Sequence, residues 1–288
     1  MASTSSDTAW RPSELELGRR ATRRQQSTKS VLIALVSTVV FVAVVGWAIL
    51  SSPGWEDVRR SFFDLDIAVQ SFPSILAGLW VNIQVLIVAA LAVALLGTTL
   101  AVLRSLRGPV FFPLRALATV YTDLFRGIPL LIVLYLVGFG LPALGIFGRV
   151  PVVLWGTIAI VLTYSAYIAE VLRAGMEAVH PSQRVAARSM GLTHGQTLRI
   201  VVIPQGVRKV VPALMNDFVS MQKDVGLISV LGAVDAVRAA QISAAEFYNF
   251  TPYIVAALLF VAMALPMIRL TDYVSARLAR REQMGGIV

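Results

Sequence analysis

Apolar residues run along this chain in long uninterrupted blocks. Val31–Leu50 carries no charge, and neither do Ile75–Leu103, Gly127–Gly148, Val150–Ala169 or Phe247–Ile268. A helix needs about 20 apolar residues to cross the hydrocarbon core of a bilayer. The pattern therefore predicts five spans. A sixth, roughly Val201–Gln222, is weaker: Asp217 lies inside it, and Arg208 and Lys209 lie near its start. The predicted fold class is an all-α integral membrane protein with six transmembrane helices.

Composition agrees. Of the 288 residues, 57% are hydrophobic and only 14% charged, against about 25% charged in a soluble domain. The net charge of +9 does not call for a nucleic-acid partner, because basic residues collect in the cytoplasmic loops of membrane proteins. With the N-terminus inside, Arg104, Arg107, Arg115, the run from Arg173 to Lys209, and Arg277, Arg280 and Arg281 all fall inside. Only Arg59, Arg60, Arg149 and Arg238 fall outside, beside Glu56, Asp57, Asp64, Asp66, Asp235 and Glu246. Six spans give this sorting, with both termini cytoplasmic. Five would place the two terminal basic clusters on opposite sides. Residues 1–29 are polar, with Arg19, Arg20, Arg23, Arg24 and Lys29 ahead of the first span. They read as a disordered cytoplasmic tail before a retained helix, not a cleaved signal. There is no cysteine, which excludes disulfides and thiolate metal sites. His180 and His194, the only histidines, form no metal constellation.

One polar, basic stretch interrupts the apolar blocks: "PSQRVAARSMGLTHGQTLRIVVIP", Pro181 to Pro204. Pro181 disfavours helix at His180. Ser182 is a good N-cap, Gln183–Met190 can form two turns, and Gly191 suits the left-handed position that ends a helix. Thr193 can cap a second short helix to Ile200, and Pro204 is tolerated at the start of the next span. Arg184 and Arg188 stand four apart, beside the small residues Ala186 and Ala187. Chemistry alone allows a docking knob or an amphipathic loop lying on the membrane.

Ionisable groups at span depth cost at least about 2.5–3.5 kcal/mol, so they usually face a bundle interior or a pathway. Asn216, Ser220 and Lys223, with Asp217 and Asp224, paint one polar face on the weak span, which also contains Pro212 and is followed by Gly226. Such a broken, polar-faced helix is the expected form beside a cavity. Lys223 and Asp224 fit equally well at a wet span end. Tyr164, Ser165 and Tyr167 give the Val150–Ala169 span a polar stretch that could contact substrate or bond across helices. Asp123 and Arg126, three apart, are placed to pair, and so are Glu170 and Arg173. Ala90, Ala94, Gly97 and Ala101 form a small-residue stripe suited to helix packing.

The loop resembles the cytoplasmic loop motif of ABC importer permeases, Glu-Ala-Ala, three residues, Gly, nine residues, then Ile-x-Leu-Pro. Ala186, Ala187, Gly191 and Pro204 match it, and Val201 and Ile203 are conservative substitutes. Val185 stands where the family usually has glutamate. "GLWVNIQVLIVAAL" (Gly78–Leu91), "DLFRGIPLLI" (Asp123–Ile132), "YSAYIAEVLRAGMEAV" (Tyr164–Val179) and "FVSMQKDVGLISVLG" (Phe218–Gly232) are similar, in order, to the polar amino acid branch. Val225-Gly226 departs from the small hydroxyl residues often found there. The resemblance covers about Phe72 to Arg281. It implies residues 72–281 as the permease transmembrane domain, with a coupling loop at about 173–204. It leaves 30–50 as an additional N-terminal span, 51–71 as an extracytoplasmic loop and 282–288 as a tail.

The resemblance also implies partners: a second permease chain, cytoplasmic ABC ATPase subunits that bind ATP and Mg, and an extracytoplasmic binding protein that delivers a polar amino acid. Ser182, Arg184, Val185, Ala186, Ala187, Arg188, Gly191 and Leu192 become the ATPase-coupling residues. Asn216, Asp217, Ser220, Lys223, Tyr164 and Arg126 become pathway candidates. The expected location is a bacterial-type cell membrane. No cofactor is expected on this chain, which has no Gly-x4-Gly-Lys-Ser/Thr phosphate loop. A membrane-embedded enzyme would need a catalytic constellation that the sequence lacks. An ion-gradient carrier would show inverted repeats with paired broken helices, and one broken span is evident. A permease for another small polar solute remains the alternative within the class.

Overall fold

The computed structural model describes residues 13–106 and 108–285. Arg107 and residues 1–12 and 286–288 lie outside the described residues, as do the side chains of Arg19, Arg20, Arg23, Arg24, Arg280 and Arg281. The chain divides into two compact units, residues 1–60 and 61–288.

The first unit contains α1 (Glu14–Leu50) and most of α2 (Trp55–Phe62). Ser13 caps α1 by accepting from the Glu16 amide at 3.3 Å. The helix begins at Glu14, sixteen residues before the expected start at residue 30, so residues 14–29 are helical and not a disordered tail, while the apolar span Lys29–Leu50 lies where expected. The apolar side chains of α1 are exposed along the span Lys29–Leu50. The segment expected as a loop, 51–71, is also largely helical. In α2, Glu56 pairs with Arg59 at 2.8 Å and with Arg60 at 2.9 Å.

In the second unit α3 (Leu65–Ser105) leads. Asp64 caps it, accepting from the Ile67 amide at 3.1 Å. Charge appears only at its two ends, Asp66 and Arg104, so its 41 residues form one continuous rod. Next come α4 (Phe112–Gly127), α5 (Leu130–Tyr135) and, through a π-helical turn at Leu136–Gly140, α6 (Leu141–Ala143). The block Gly127–Gly148, expected as a span, holds a shorter helical run, Leu130–Ala143, that follows a break at the block's start. Pro129 forces Ile128 into extended backbone (φ −99°, ψ 129°), and the helices on either side meet at 108°.

Then follow α7 (Val152–Glu177), α8 (Pro181–Ser189), α9 (His194–Thr197), α10 (Ile203–Asp224), α11 (Ala236–Phe247) and α12 (Thr251–Gly285). The weak span is longer than its apolar core suggested. From His194 it passes through a π turn, Leu198–Val202, into α10, and then through the 3-10 segment Val225–Leu231. A 52° bend separates that run from α11. The last span begins at Thr251, because Tyr248 adopts left-handed backbone (φ 49°) and ends α11. Among the described residues, four helices are long and apolar enough to cross a membrane, and the two bent pairs bring the total to six if each is one span.

Three apolar clusters hold the second unit. The central one joins Val85, Leu86, Ala89 and Val93 of α3 to Trp155, Ile160 and Tyr164 of α7, with Leu134 and Ile228. A far cluster joins Ile75 and Leu79 to Ala236, Ala240 and Val255. A loop-end cluster joins Leu100, Ala101, Ala118, Met176, Val179 and Val202. Lipid tails are as apolar as these side chains, so close packing carries the association. The predicted small stripe is half right. Gly97 and Ala101 are buried, and a Cβ on Gly97 would lie 2.9 Å from Ile168, but Ala94 is exposed. The seam toward α7 runs through Ala89 and Val93 instead.

Candidate functional site

The polar stretch forms a knob between α7 and α10. His180, not Ser182, is the N-cap of α8. The His180 Nδ1 accepts the Ser182 amide at 3.3 Å and meets the Ser182 hydroxyl at 2.7 Å. With Pro181 at the first helical position, where its missing N–H costs nothing, the helix starts two residues earlier than expected. It ends in a Schellman motif: the Gly191 amide donates to the Arg188 carbonyl (3.0 Å) and the Leu192 amide to the Ala187 carbonyl (3.2 Å). Gly191 has φ +83°, which a side chain would strain. Thr193 then opens α9 with a full capping box. Its hydroxyl accepts the Gln196 amide (3.3 Å), and the Gln196 side-chain oxygen accepts the Thr193 amide (2.8 Å).

One tether fixes the knob to α7: the Arg184 guanidinium of α8 donates to the Met176 carbonyl. Beside it the Lys209 ammonium of α10 donates to the Ala178 carbonyl at the end of α7, at 2.7 Å. Beneath it α7 and α10 cross backbone to backbone. A Cβ on Gly175 would sit 2.7 Å from the Gly206 carbonyl oxygen, and one on Gly206 would sit 2.9 Å from that of Gly175. Of the sequence-predicted residues, Ala187 is buried against the body, and Arg184 and Leu192 are half-buried. Ser182, Ala186, Arg188 and Gly191 are exposed, as are Val185 at 63% and Met190 at 74%. A cavity of about 760 Å³ opens beside them, lined by Arg184, Val185, Arg188, His194, Leu198 and Val202.

The polar face of α10 is less uniform than its spacing suggested. Asn216 and Lys223 are exposed, while Asp217, Ser220 and Asp224 are half-buried. The Tyr164 hydroxyl donates to the Asp224 carboxylate at 2.7 Å, joining α7 to α10. Asp217 Oδ2 is buried with no hydrogen-bond partner among the described residues, and so are Thr163 Oγ1 and Gln222 Nε2. Arg126 does not pair with Asp123. It lies 3.6 Å from Glu170, which also binds Arg104 at 2.7 Å and Arg173. The Glu170–Arg173 pair is as expected. The convergence of Arg104 and Arg126 on Glu170 left no local trace, since they stand on other helices.

A second polar centre went unread. Asn82, fully buried in α3, donates to Asp235 Oδ2 at 2.9 Å and to the Val225 carbonyl at 3.2 Å, and accepts the Ala236 amide at 3.0 Å. Asp235 is itself fully buried and caps α11, accepting the Arg238 amide at 2.8 Å. A Cβ on Gly78 would fall 2.4 Å from the Asp235 backbone. The one available signal was Asn82 itself, an amide followed by Gln84 in a long apolar run.

A multi-span helical bundle with a doubly capped polar knob between two spans defines the class: an integral membrane protein that presents a built surface element outside the bilayer. Residues 109–280 match the family described as binding-protein-dependent transport system inner membrane component, and the chain belongs to that family. It is 31% identical over 218 residues to the probable glutamine ABC transporter permease protein GlnM of Bacillus subtilis, covering 75% of this chain and 99% of that one. It is 30% identical to the arginine transport system permease protein ArtQ of the same organism, covering 70% and 91%. Among solved structures, a crystal structure of an amino acid ABC transporter with histidines matches with TM-score 0.67 at 34% identity, over 73% of this chain and 96% of that one. The MetNI methionine ABC transporter matches with TM-score 0.57 at 18% identity, over 71% and 95%, a likeness of fold.

Proposed function

We propose that this chain is the membrane-spanning permease subunit of an ATP-driven, binding-protein-dependent importer of polar amino acids. It lies in the cell membrane with both termini cytoplasmic. It is a transport subunit and not the ATPase: ATP and Mg bind to separate ATPase subunits, a second permease chain completes the pathway, and an extracytoplasmic binding protein delivers the solute. The observation that carries the reading is the knob, in a chain whose relatives are named as glutamine and arginine permeases. Its two helices are fixed by caps, α8 is tied to the end of α7 by Arg184, and α9 runs through the π turn directly into α10, so force applied to it reaches both spans.

Docking rests on the exposed Val185 and Met190 and on Arg188, with Ala187 facing inward and Arg184 bracing the helix. This mode needs no glutamate at 185. Asp217, with its unmatched oxygen, and the Tyr164–Asp224 pair support a solute route along the α7–α10 seam, with Asn216, Ser220 and Lys223 beside it. Arg126 acts at the Glu170 cluster.

The test is Gly191→Val in the complex reconstituted with its ATPase and binding protein. Strain in the left-handed position, about 1–2 kcal/mol, breaks the turn between α8 and α9. Insertion persists, while uptake and its coupling to ATP hydrolysis are lost. Normal uptake by that variant overturns the coupling role. For the route, Asp217→Ala changes uptake or substrate-stimulated ATP hydrolysis, and an unchanged rate and substrate profile assigns Asp217 to structure.

A further inference from the structure

Where α3, α4 and α7 end at the knob, positive charge accumulates beyond its neutralisation. A cavity of about 450 Å³ there is lined by Arg104, Arg115, Arg173, Arg184 and Glu177, among others. Behind it, Glu170 is shared by Arg104, Arg126 and Arg173, and Arg173 also reaches Glu177. Five guanidinium groups therefore face two carboxylates, leaving three positive charges in excess. Among the described residues, Arg115 and Arg184 have no acidic partner within ion-pair distance. Arg115 donates to the Leu106 carbonyl at 3.1 Å, and Arg184 donates to the Met176 carbonyl. Arg104 has a side chain only 11% exposed. Like charges held this close at reduced exposure repel, and an anion among them relieves that cost. Guanidinium forks suit the paired oxygens of a phosphate.

A second observation bears on what carries the phosphate. The Arg115 guanidinium stands 5.7 Å over the Phe112 ring. Phe112 continues into an exposed apolar face with Val110 (83% exposed), Phe111, Leu114 and Leu117 (69%). The cationic cavity and this face are thus joined through one side chain. A free phosphate would use only the first, whereas a phospholipid uses both, with its headgroup among the arginines and its acyl chains along α4. Basic pockets between spans at the cytoplasmic face are suited to anionic headgroups.

We infer that this cavity binds the phosphate of an anionic phospholipid and that the bound lipid braces the knob, through Arg184, against the ends of α3 and α4. The inference rests on the cytoplasmic placement of the knob but not on the solute carried or on ATPase docking.

The experiment uses the full chain, delipidated in uncharged detergent, with phosphatidylglycerol or phosphatidylcholine of identical acyl chains added and retention read by native mass spectrometry. Phosphatidylglycerol is retained preferentially. Arg115→Gln lowers that retention by roughly fivefold, the scale of one basic residue at an anionic surface, and Arg115→Lys keeps most of it. Equal retention of the two lipids overturns the inference, which needs only the unaltered protein. Retention unchanged in a folded Arg115→Gln variant overturns it as well. Displacement of the lipid by millimolar inorganic phosphate identifies a soluble-anion site and overturns the lipid reading. Failure of coupling in Gly191→Val leaves this lipid preference in place, so the two proposals fail separately.

Discussion

The knob at α8–α9 and the joint at Asn82 are both built from a handful of polar groups, at opposite ends of the same spans. Every hydrogen bond that caps the knob's helices joins residues no more than five positions apart, the longest being Leu192 to Ala187. The Asn82–Asp235 bond spans 153 positions. The first device can form as soon as its own segment is free to fold. The second exists only once α3, the 3-10 segment and α11 are assembled. The knob is also wet, so its groups trade one set of partners for water when a cap is lost. The joint is dry, and its groups have no such alternative. Local shape and global stability should therefore separate under mutation.

The largest effect falls at the joint. Asn82→Ala removes the side-chain donor to the Asp235 carboxylate, the donor to the Val225 carbonyl and the acceptor of the Ala236 amide in one step. Buried polar groups left unmatched cost about 1–3 kcal/mol each when no water can enter. Partners found within the unfolded but inserted chain reduce that sum, leaving a loss of about 3 kcal/mol. A fall in the thermal midpoint of the detergent-purified chain measures it. A midpoint within a degree of the parent would mean that water reaches Asp235 and that the joint is not dry.

This division also explains what could be read from the chain before its fold was known. The spans were legible because backbone in lipid must bond to itself, which turns each apolar block into a helix. Gly191 and Thr193 were legible because cap chemistry is local. The start of α8 was misplaced by two residues, since a histidine acceptor ahead of Pro181 competed with the commoner Ser182. The 108° break at Pro129 falls at the start of an apolar block, and hydropathy marked where that block begins but not the turn there. A hydropathy pattern records what lipid tolerates, not which way the helix points. The Glu170 cluster and the Asn82 joint were illegible for one reason: each gathers groups from three or more elements, and no spacing along the chain encodes that.

A smaller effect sharpens the contrast from the other side. Thr193→Ala deletes one half of the capping box that opens α9. Loss of an N-cap costs about 1 kcal/mol, here spent on a segment that can fray without unpacking the spans. Hydrogen exchange at the Gln196 and Thr197 amides should accelerate about fivefold, the equivalent of that energy. The thermal midpoint should stay at the parental value. A midpoint that falls as far as in Asn82→Ala would show that the knob and the bundle unfold as one unit, and the distinction between the two regions would fail.

The smallest effect concerns grip, not shape. Val185 is 63% exposed, so Val185→Glu should leave stability within about 0.5 kcal/mol of the parent. The substitution restores the residue usual at this position in the permeases the loop resembles, which makes it a direct test of how this knob holds its partner. In the reading advanced above, the socket meets Val185 with apolar surface and meets Arg188 with acidic or carbonyl oxygen. A carboxylate at 185 would then lose hydration on docking without a cation to receive it, and would compete for Arg188 within its own helix at i,i+3. Association with the ATPase should weaken on the order of threefold, the scale of a charge at the rim of an interface. Association that tightens instead would reveal a basic group kept at that point in the socket. The departure at Val185 would then be a loss of affinity, and the apolar mode of docking would be wrong.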